Sequence, residues 1–177
     1  MRTEFRLSGS GGQGLLLAGI VLAEAAILED KNAVQTQSYG PEARGGASKA
    51  EVVISPEDID YPKATDPDFL LALTAESYKT YGPLMGKGTI IVDASVSLLP
   101  EIKAKTLSVP ILRTASEELG KKVVANIVAL GALAGVSGIV GEQTLALAVK
   151  NRVPKGTEEL NLSALKKGFE LAKAALA

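Results

Sequence analysis

The chain of 177 residues is the length of one domain; its 19 Lys and Arg against 20 Asp and Glu leave a net charge of −1 and no electrostatic footprint for nucleic acid or an anionic membrane. It contains no Cys and no His, which excludes disulfides, thiolate catalysis and cluster ligation by thiolate, and removes the usual general base. Catalysis by this chain alone is disfavoured, and no catalytic, cofactor-binding or metal-ligating residue is assigned from composition.

In chain order, "TEFRLSG" (3–9) reads as a first strand. Glu4 and Arg6 break the charged-then-apolar order of a secretory signal, so a cytoplasmic protein is expected. A helix is predicted from Gln13 to Glu29, apolar on nearly every face between Leu15 and Ile27 and hence covered on more than one side. "KNAVQTQS" (31–38) reads as a second strand, "YGPEARGG" (39–46) as a loop and "ASKAEVVIS" (47–55) as a third strand, halted where Ser55 and Pro56 have the form of a helix cap and first residue. "DFLLALT" and "GTIIVDAS" are short continuous apolar runs of the kind that make fully buried strands. Between them "AESYKTYGPLMG" is a short helix capped by Thr74.

"VPILRTA" (109–115) is predicted as one more strand, and Thr114 with Glu117 as a capping box opening the next helix. Helices are placed near Val123 to Gly135, Gly141 to Asn151 and Leu160 to Ala177, the last with an apolar stripe of Leu162, Leu165, Phe169, Ala172 and Leu176. The apolar run from Val123 to Val140 is long enough to raise a membrane span, but Asn126, Ser137 and three glycines interrupt it; close helix packing explains Gly131 and Gly135 better. The connection between strands two and three is too short for a parallel crossover, so these strands run antiparallel. The expected fold is α/β: a single domain over 1–177, three-layered and Rossmann-like, with a mostly parallel, mixed β-sheet.

Gly9, Gly11 and Gly14 spell G-x-G-x-x-G at the first strand-to-helix turn. A dinucleotide site also needs an acid closing the second strand, and here Gln35 and Gln37 stand instead. Two readings of the turn stay open and compatible: glycines that let the helix pack on the sheet, or free N–H groups at a helix start that meet a negative group or a carbonyl of another chain. In "SYGPEARGG", Arg44 stands before Gly45 and Gly46, where a guanidinium can reach a carboxylate or phosphate; an ordinary polar loop is the even alternative.

"GSGGQG" followed by an Ala-rich helix, then "QTQSYGPEARGGASKAEVVIS", "SPEDIDYPKATDPDFLLAL" and "ANIVALGALAG", resembles the gamma subunit or gamma domain of the 2-oxoacid:ferredoxin oxidoreductases over most of the chain. "SYGPEARGG" is most similar to the 2-oxoglutarate type. The resemblance implies a subunit of a complex that oxidatively decarboxylates a 2-oxoacid to acyl-CoA and reduces ferredoxin. It implies thiamine diphosphate, Mg2+ and iron–sulfur clusters on partner chains and none on this one, and as partners alpha and beta subunits, a delta ferredoxin-like subunit, ferredoxin and coenzyme A. Carried over to this chain, Gly9, Gly11, Gly12, Gln13 and Gly14 match the family's glycine turn, and Tyr39, Gly40, Pro41, Glu42, Arg44, Gly45 and Gly46 its second loop. These are interface or ligand-proximal candidates. The alternative is a stand-alone dinucleotide-binding oxidoreductase.

Overall fold

Alternation along the first strand sends Phe5 and Leu7 to one side and Glu4, Arg6 and Ser8 to the other, and all five are buried, so both faces of this strand are covered. The computed structural model describes residues 1–38 and 47–177. Its elements are β1 (Thr3–Gly9), α1 (Leu15–Leu28), β2 (Asn32–Gln37), β3 (Ser48–Ser55), β4 (Phe69–Ala72), α2 (Ala75–Tyr81), β5 (Thr89–Asp93), β6 (Lys105–Val109), α3 (Ile111–Arg113), α4 (Ala125–Ser137), α5 (Glu142–Arg152) and α6 (Glu158–Leu176). The strands form one six-stranded sheet in the order β2-β3-β1-β4-β5-β6. β3 runs antiparallel to both neighbours, and β1, β4, β5 and β6 are mutually parallel, as the short second connection requires.

Three layers result. Phe5, Leu7, Val52, Ile54, Leu71 and Ile91 meet α1 and α4 on one face; Leu70, Ala72, Ile90 and Val92 meet Tyr78 and Tyr81 of α2 on the other. Phe5 and Phe69 stack with centroids 5.3 Å apart. Thr74 caps α2 as expected, its Oγ1 accepting from Ser77 N at 3.1 Å.

Four expectations are corrected. The last strand is "KTLSV", not "VPILRTA": Pro110 cannot donate to a ladder, and the chain turns into α3, where Leu112 N donates to Asp93 Oδ1 at 2.8 Å. Thr114 and Glu117 form no capping box; Thr114 is buried inside the helical run, and Glu117 pairs with Arg113 at 2.8 Å. Ser55 and Pro56 open no helix; Ser55 Oγ accepts from Glu57 N at 3.0 Å and holds a local turn. On α6, Leu165 and Ala172 of the expected stripe are buried and Leu162 and Phe169 pack against the core, but Asn161, Ala164 and Gly168 share the buried side and Leu176 is half exposed.

That difference has a steric cause. Gly168 and Gly131 bring the backbones of α6 and α4 together, so closely that a Cβ on Gly168 would lie 2.7 Å from Gly131 Cα and 2.8 Å from Ala132 N. The small residues of α4 thus serve packing within the domain. Among the described residues no helix is long and apolar enough to cross a membrane.

Candidate functional site

The turn between β1 and α1 uses its glycines for different ends. A Cβ on Gly9 would press on the Gln13 side chain and come within 2.9 Å of Leu15 Cδ1. Gly12 and Gly14 hold φ of +85° and +73°, where an L side chain is strained, and a Cβ on Gly14 would sit 2.6 Å from Asn126 Nδ2. Gly11 faces open space. Gln13 closes the turn on itself: its Oε1 accepts from Ser10 N at 2.7 Å while its own N–H donates to Ser10 O at 3.3 Å.

Two of the N–H groups that a phosphate cradle would present are therefore spent inside the loop. From below, Asn126 at the start of α4 donates from Nδ2 to Gly14 O at 3.2 Å, and its Oδ1 accepts from Ile127 N at 2.9 Å. One buried amide thereby joins the two helix starts. The sequence reading took Asn126 only as a polar interruption; an Asn at the head of an apolar helix is the signal that could have found it.

Hydroxyls fix the turn to its neighbours. Ser8 Oγ lies 2.8 Å from Ser48 O and 2.9 Å from Ser77 Oγ, and Ser48 Oγ donates to Gly9 O at 3.2 Å. β1 and β2 are separated by β3 rather than adjacent, yet both end at the same edge of the sheet. Gln37, which ends β2, Ser38 after it, and Ser48 and Lys49, which begin β3, accordingly line a cavity of about 410 Å³ together with residues 10–16. The second-loop candidates Tyr39, Gly40, Pro41, Glu42, Arg44, Gly45 and Gly46 lie outside the described residues; the ends of the strands that flank them reach the glycine turn.

On its far side the turn walls a larger cavity of about 720 Å³, where Gly12 and Gln13 face Leu112, Arg113, Lys122 and Val123. Val123 is 78% exposed there. The charged side chains around the two cavities are Lys49, Arg113, Glu117 and Lys122, and Lys49 Nζ is held 3.4 Å from Glu51 Oε1 and 5.7 Å above the Tyr81 ring. Among the described residues no cluster of acids could hold a metal ion, and a chain without Cys offers no thiolate to an iron–sulfur cluster. The arrangement can recognise carbonyls, amides and negative groups by hydrogen bonds and charge; among the described residues that line it, no nucleophile is paired with a base.

β1 is flanked on one side by an antiparallel strand, and β2 ends in Gln37 where a ribose-binding acid would stand, so the dinucleotide alternative is not favoured. A family model described as pyruvate ferredoxin/flavodoxin oxidoreductase matches residues 4–171. The chain is 52% identical over 178 residues to 2-oxoglutarate synthase subunit KorC of Methanocaldococcus jannaschii, covering 98% of this chain and 95% of that protein. Among solved structures it is similar to the gamma subunit of a keto/oxoacid ferredoxin oxidoreductase from Geobacter sulfurreducens, with a TM-score of 0.91, 47% identity and coverage of 99% and 98% of the two chains. It also matches 2-oxoglutarate:ferredoxin oxidoreductase from Magnetococcus marinus, solved with 2-oxoglutarate, coenzyme A and succinyl-CoA bound, at a TM-score of 0.86 and 25% identity; 98% of this chain aligns with 31% of that one.

Proposed function

The chain belongs to the pyruvate ferredoxin/flavodoxin oxidoreductase family, and from that premise we propose that it is the gamma subunit of a 2-oxoacid:ferredoxin oxidoreductase of the 2-oxoglutarate type. The observation that carries the reading is the 52% identity, across nearly the whole of both chains, to a 2-oxoglutarate synthase subunit. The reaction is the coenzyme A-dependent oxidative decarboxylation of 2-oxoglutarate to succinyl-CoA and carbon dioxide with reduction of ferredoxin. Thiamine diphosphate with Mg2+ supplies the carbanion chemistry, and iron–sulfur clusters carry the electrons, all on the partner alpha, beta and delta chains.

This chain contributes a docking edge. Gly9, Gly11, Gly12, Gln13 and Gly14 form one half of it; Tyr39, Gly40, Pro41, Glu42, Arg44, Gly45 and Gly46 form the other, with Arg44 pairing a carboxylate or phosphate through its guanidinium fork. The two cavities beside the glycine turn, with Val123 exposed at the rim, support an edge that receives another chain. The complex works in the cytoplasm.

Co-expression with the alpha and beta chains tests the proposal. The expected result is a stable complex whose 2-oxoglutarate- and coenzyme A-dependent ferredoxin reduction is lost when this chain is omitted, while the chain alone is inactive. Turnover by the isolated chain, or a complex that uses pyruvate faster than 2-oxoglutarate, overturns it.

A further inference from the structure

At the side of the sheet away from β6, β2 ends the strand order with no partner on its outer edge among the described residues. The hydrogen bond from Ser38 N to Lys49 O, at 3.2 Å, sets the phase of the β2–β3 ladder. Asn32, Val34 and Thr36 therefore bond inward to β3, and Ala33, Gln35 and Gln37 turn their N–H and C=O groups outward. None of the six β2 residues is charged, and none is Pro. Natural edge strands are usually protected by one or the other. The opposite edge, β6, opens with Lys105 and follows Lys103.

Beside this edge, on the same face as the Gln35 side chain, runs an apolar line on α1: Leu16, Ile20, Ala23 and Ile27, at spacings of four, three and four. Leu16 and Ile27 are 42% and 57% exposed. Ile20, Ala23 and Ile27 line a groove of about 300 Å³ with Gln35 and Arg152. The one acid in the groove, Glu24, is neutralised there by Arg152 and accepts from Asn151 Nδ2 at 3.0 Å.

We infer that this surface is covered by a second copy of the chain, through antiparallel pairing of β2 with β2 about a two-fold axis perpendicular to the sheet. Such an axis keeps the α1 faces on the same side and places outward-bonding residues opposite one another. Centred on Gln35, it pairs Gln35 with its own copy and Ala33 with Gln37 of the other, each pair exchanging both N–H···O bonds. The same rotation lays the Leu16–Ile27 line of one α1 against that of its copy. Among the described residues no like charges are brought together, because the strand is neutral and each Glu24 brings its own Arg152. This surface meets the cavity beside the glycine turn only at Leu16 and Gln37; the residues that test it, Ala33, Gln35 and Ile27, lie outside the proposed docking edge, so its failure leaves that reading untouched.

The experiment uses the absence of native Cys. In the full chain, Gln35→Cys puts two Cα atoms about 5.5 Å apart across the axis, within disulfide range. Ala33→Cys leaves its two copies about 13 Å apart along the strands. Mild oxidation is expected to cross-link Q35C to a dimer at least tenfold faster than A33C. Sedimentation velocity should show a dimer for the unaltered chain, a monomer for Ile27→Lys with unchanged circular dichroism, and a dimer for the control Leu98→Lys. Equal cross-linking at 33 and 35, a monomer at all concentrations, or a dimer indifferent to I27K overturns the inference. So does cross-linking of Q35C to an alpha or beta chain in the assembled complex.

Discussion

Arg6 and Glu51, paired at 2.9 Å across β1 and β3, close on one residue of the connection between β3 and β4: Arg6 Nη2 donates to Ala64 O at 3.2 Å, and Ala64 N donates to Glu51 Oε2 at 3.2 Å. Arg2 and Glu4 repeat the device one turn of the pleat away. Arg2 donates to Tyr61 O and Lys63 O, and Glu4 Oε2 accepts from Asp66 N at 2.9 Å. A connection with no helix of its own is thereby strapped over the polar row of β1.

The strap predicts a large cost for breaking the pair. Arg6 and Glu51 are both buried and Arg6 lies 5.2 Å over the Tyr81 ring; removing Glu51 leaves Arg6 with no carboxylate among the described residues, and removing Arg6 leaves Glu51 with only Lys49, at 3.4 Å. Arg6→Met is expected to destabilise the chain by about 3 kcal/mol, measured by urea denaturation. The double variant with Glu51→Leu is expected to cost less than the sum of the two single changes, because neither member of the buried pair is then left behind and only the more exposed Lys49 loses a partner. Additivity would show that the two side chains act independently.

The contact between α4 and α6 makes a second prediction. Gly168→Ala drives a methyl into Gly131 Cα and into the backbone of Val128, so a loss of about 2 kcal/mol or more is expected in denaturant unfolding. Gly138→Ala is the comparison: Gly138 ends α4 at φ +66° with nothing within 4 Å, and only the left-handed backbone is penalised, at about 1 kcal/mol. Equal costs would mean that the helices can separate to accommodate the methyl.

Glu29 makes stability depend on pH. Its Oε1 accepts from Gly141 N at 2.7 Å, and that hydrogen bond, against the opposing effect of burial and with help from Lys31 at 2.9 Å, holds the carboxyl below the usual range. A carboxyl whose pKa is lower folded than unfolded stabilises the fold above its unfolded pKa of about 4.3, and that contribution is lost as pH falls through the folded value. Glu29→Gln should therefore cost about 1 kcal/mol at pH 7 and progressively less in acid. Urea midpoints of the two proteins across pH 3–7 measure the gap; a gap independent of pH would place the effect elsewhere than in the charge.

The mixed sheet was legible because an eight-residue connection cannot cross over, and β4 and β5 because their apolar runs are unbroken. β6 was not: "KTLSV" alternates weakly and is half exposed, whereas Ile111 and Leu112 after Pro110 mimic a strand while filling a helix. Nor could hydropathy place Asn161 and Gly168 on the buried side of α6, since what selects Gly168 is backbone approach rather than apolar area. At the site, the glycine turn and its position at the sheet edge were readable. Its anchor Asn126 was legible only as an Asn at a helix start; the Gly14 carbonyl it holds, 112 residues away, was not.

That anchor separates the structural part of the glycine turn from the part proposed to dock. Gly14 is held left-handed against Asn126, so Gly14→Ala should destabilise the isolated chain by about 2 kcal/mol through strain and overlap together. Gly11 is exposed, with nothing within 4 Å of the position its Cβ would take, so Gly11→Leu should leave the urea midpoint of the isolated chain within about 0.5 kcal/mol of the original. A bulky side chain at a face that meets another chain is nevertheless excluded by close packing. G11L is therefore expected to lower the yield of complex with the alpha and beta chains, and its ferredoxin-reducing activity, at least tenfold. Full assembly and activity with G11L would leave the turn as a packing device alone and shift the docking edge to the groove at Val123.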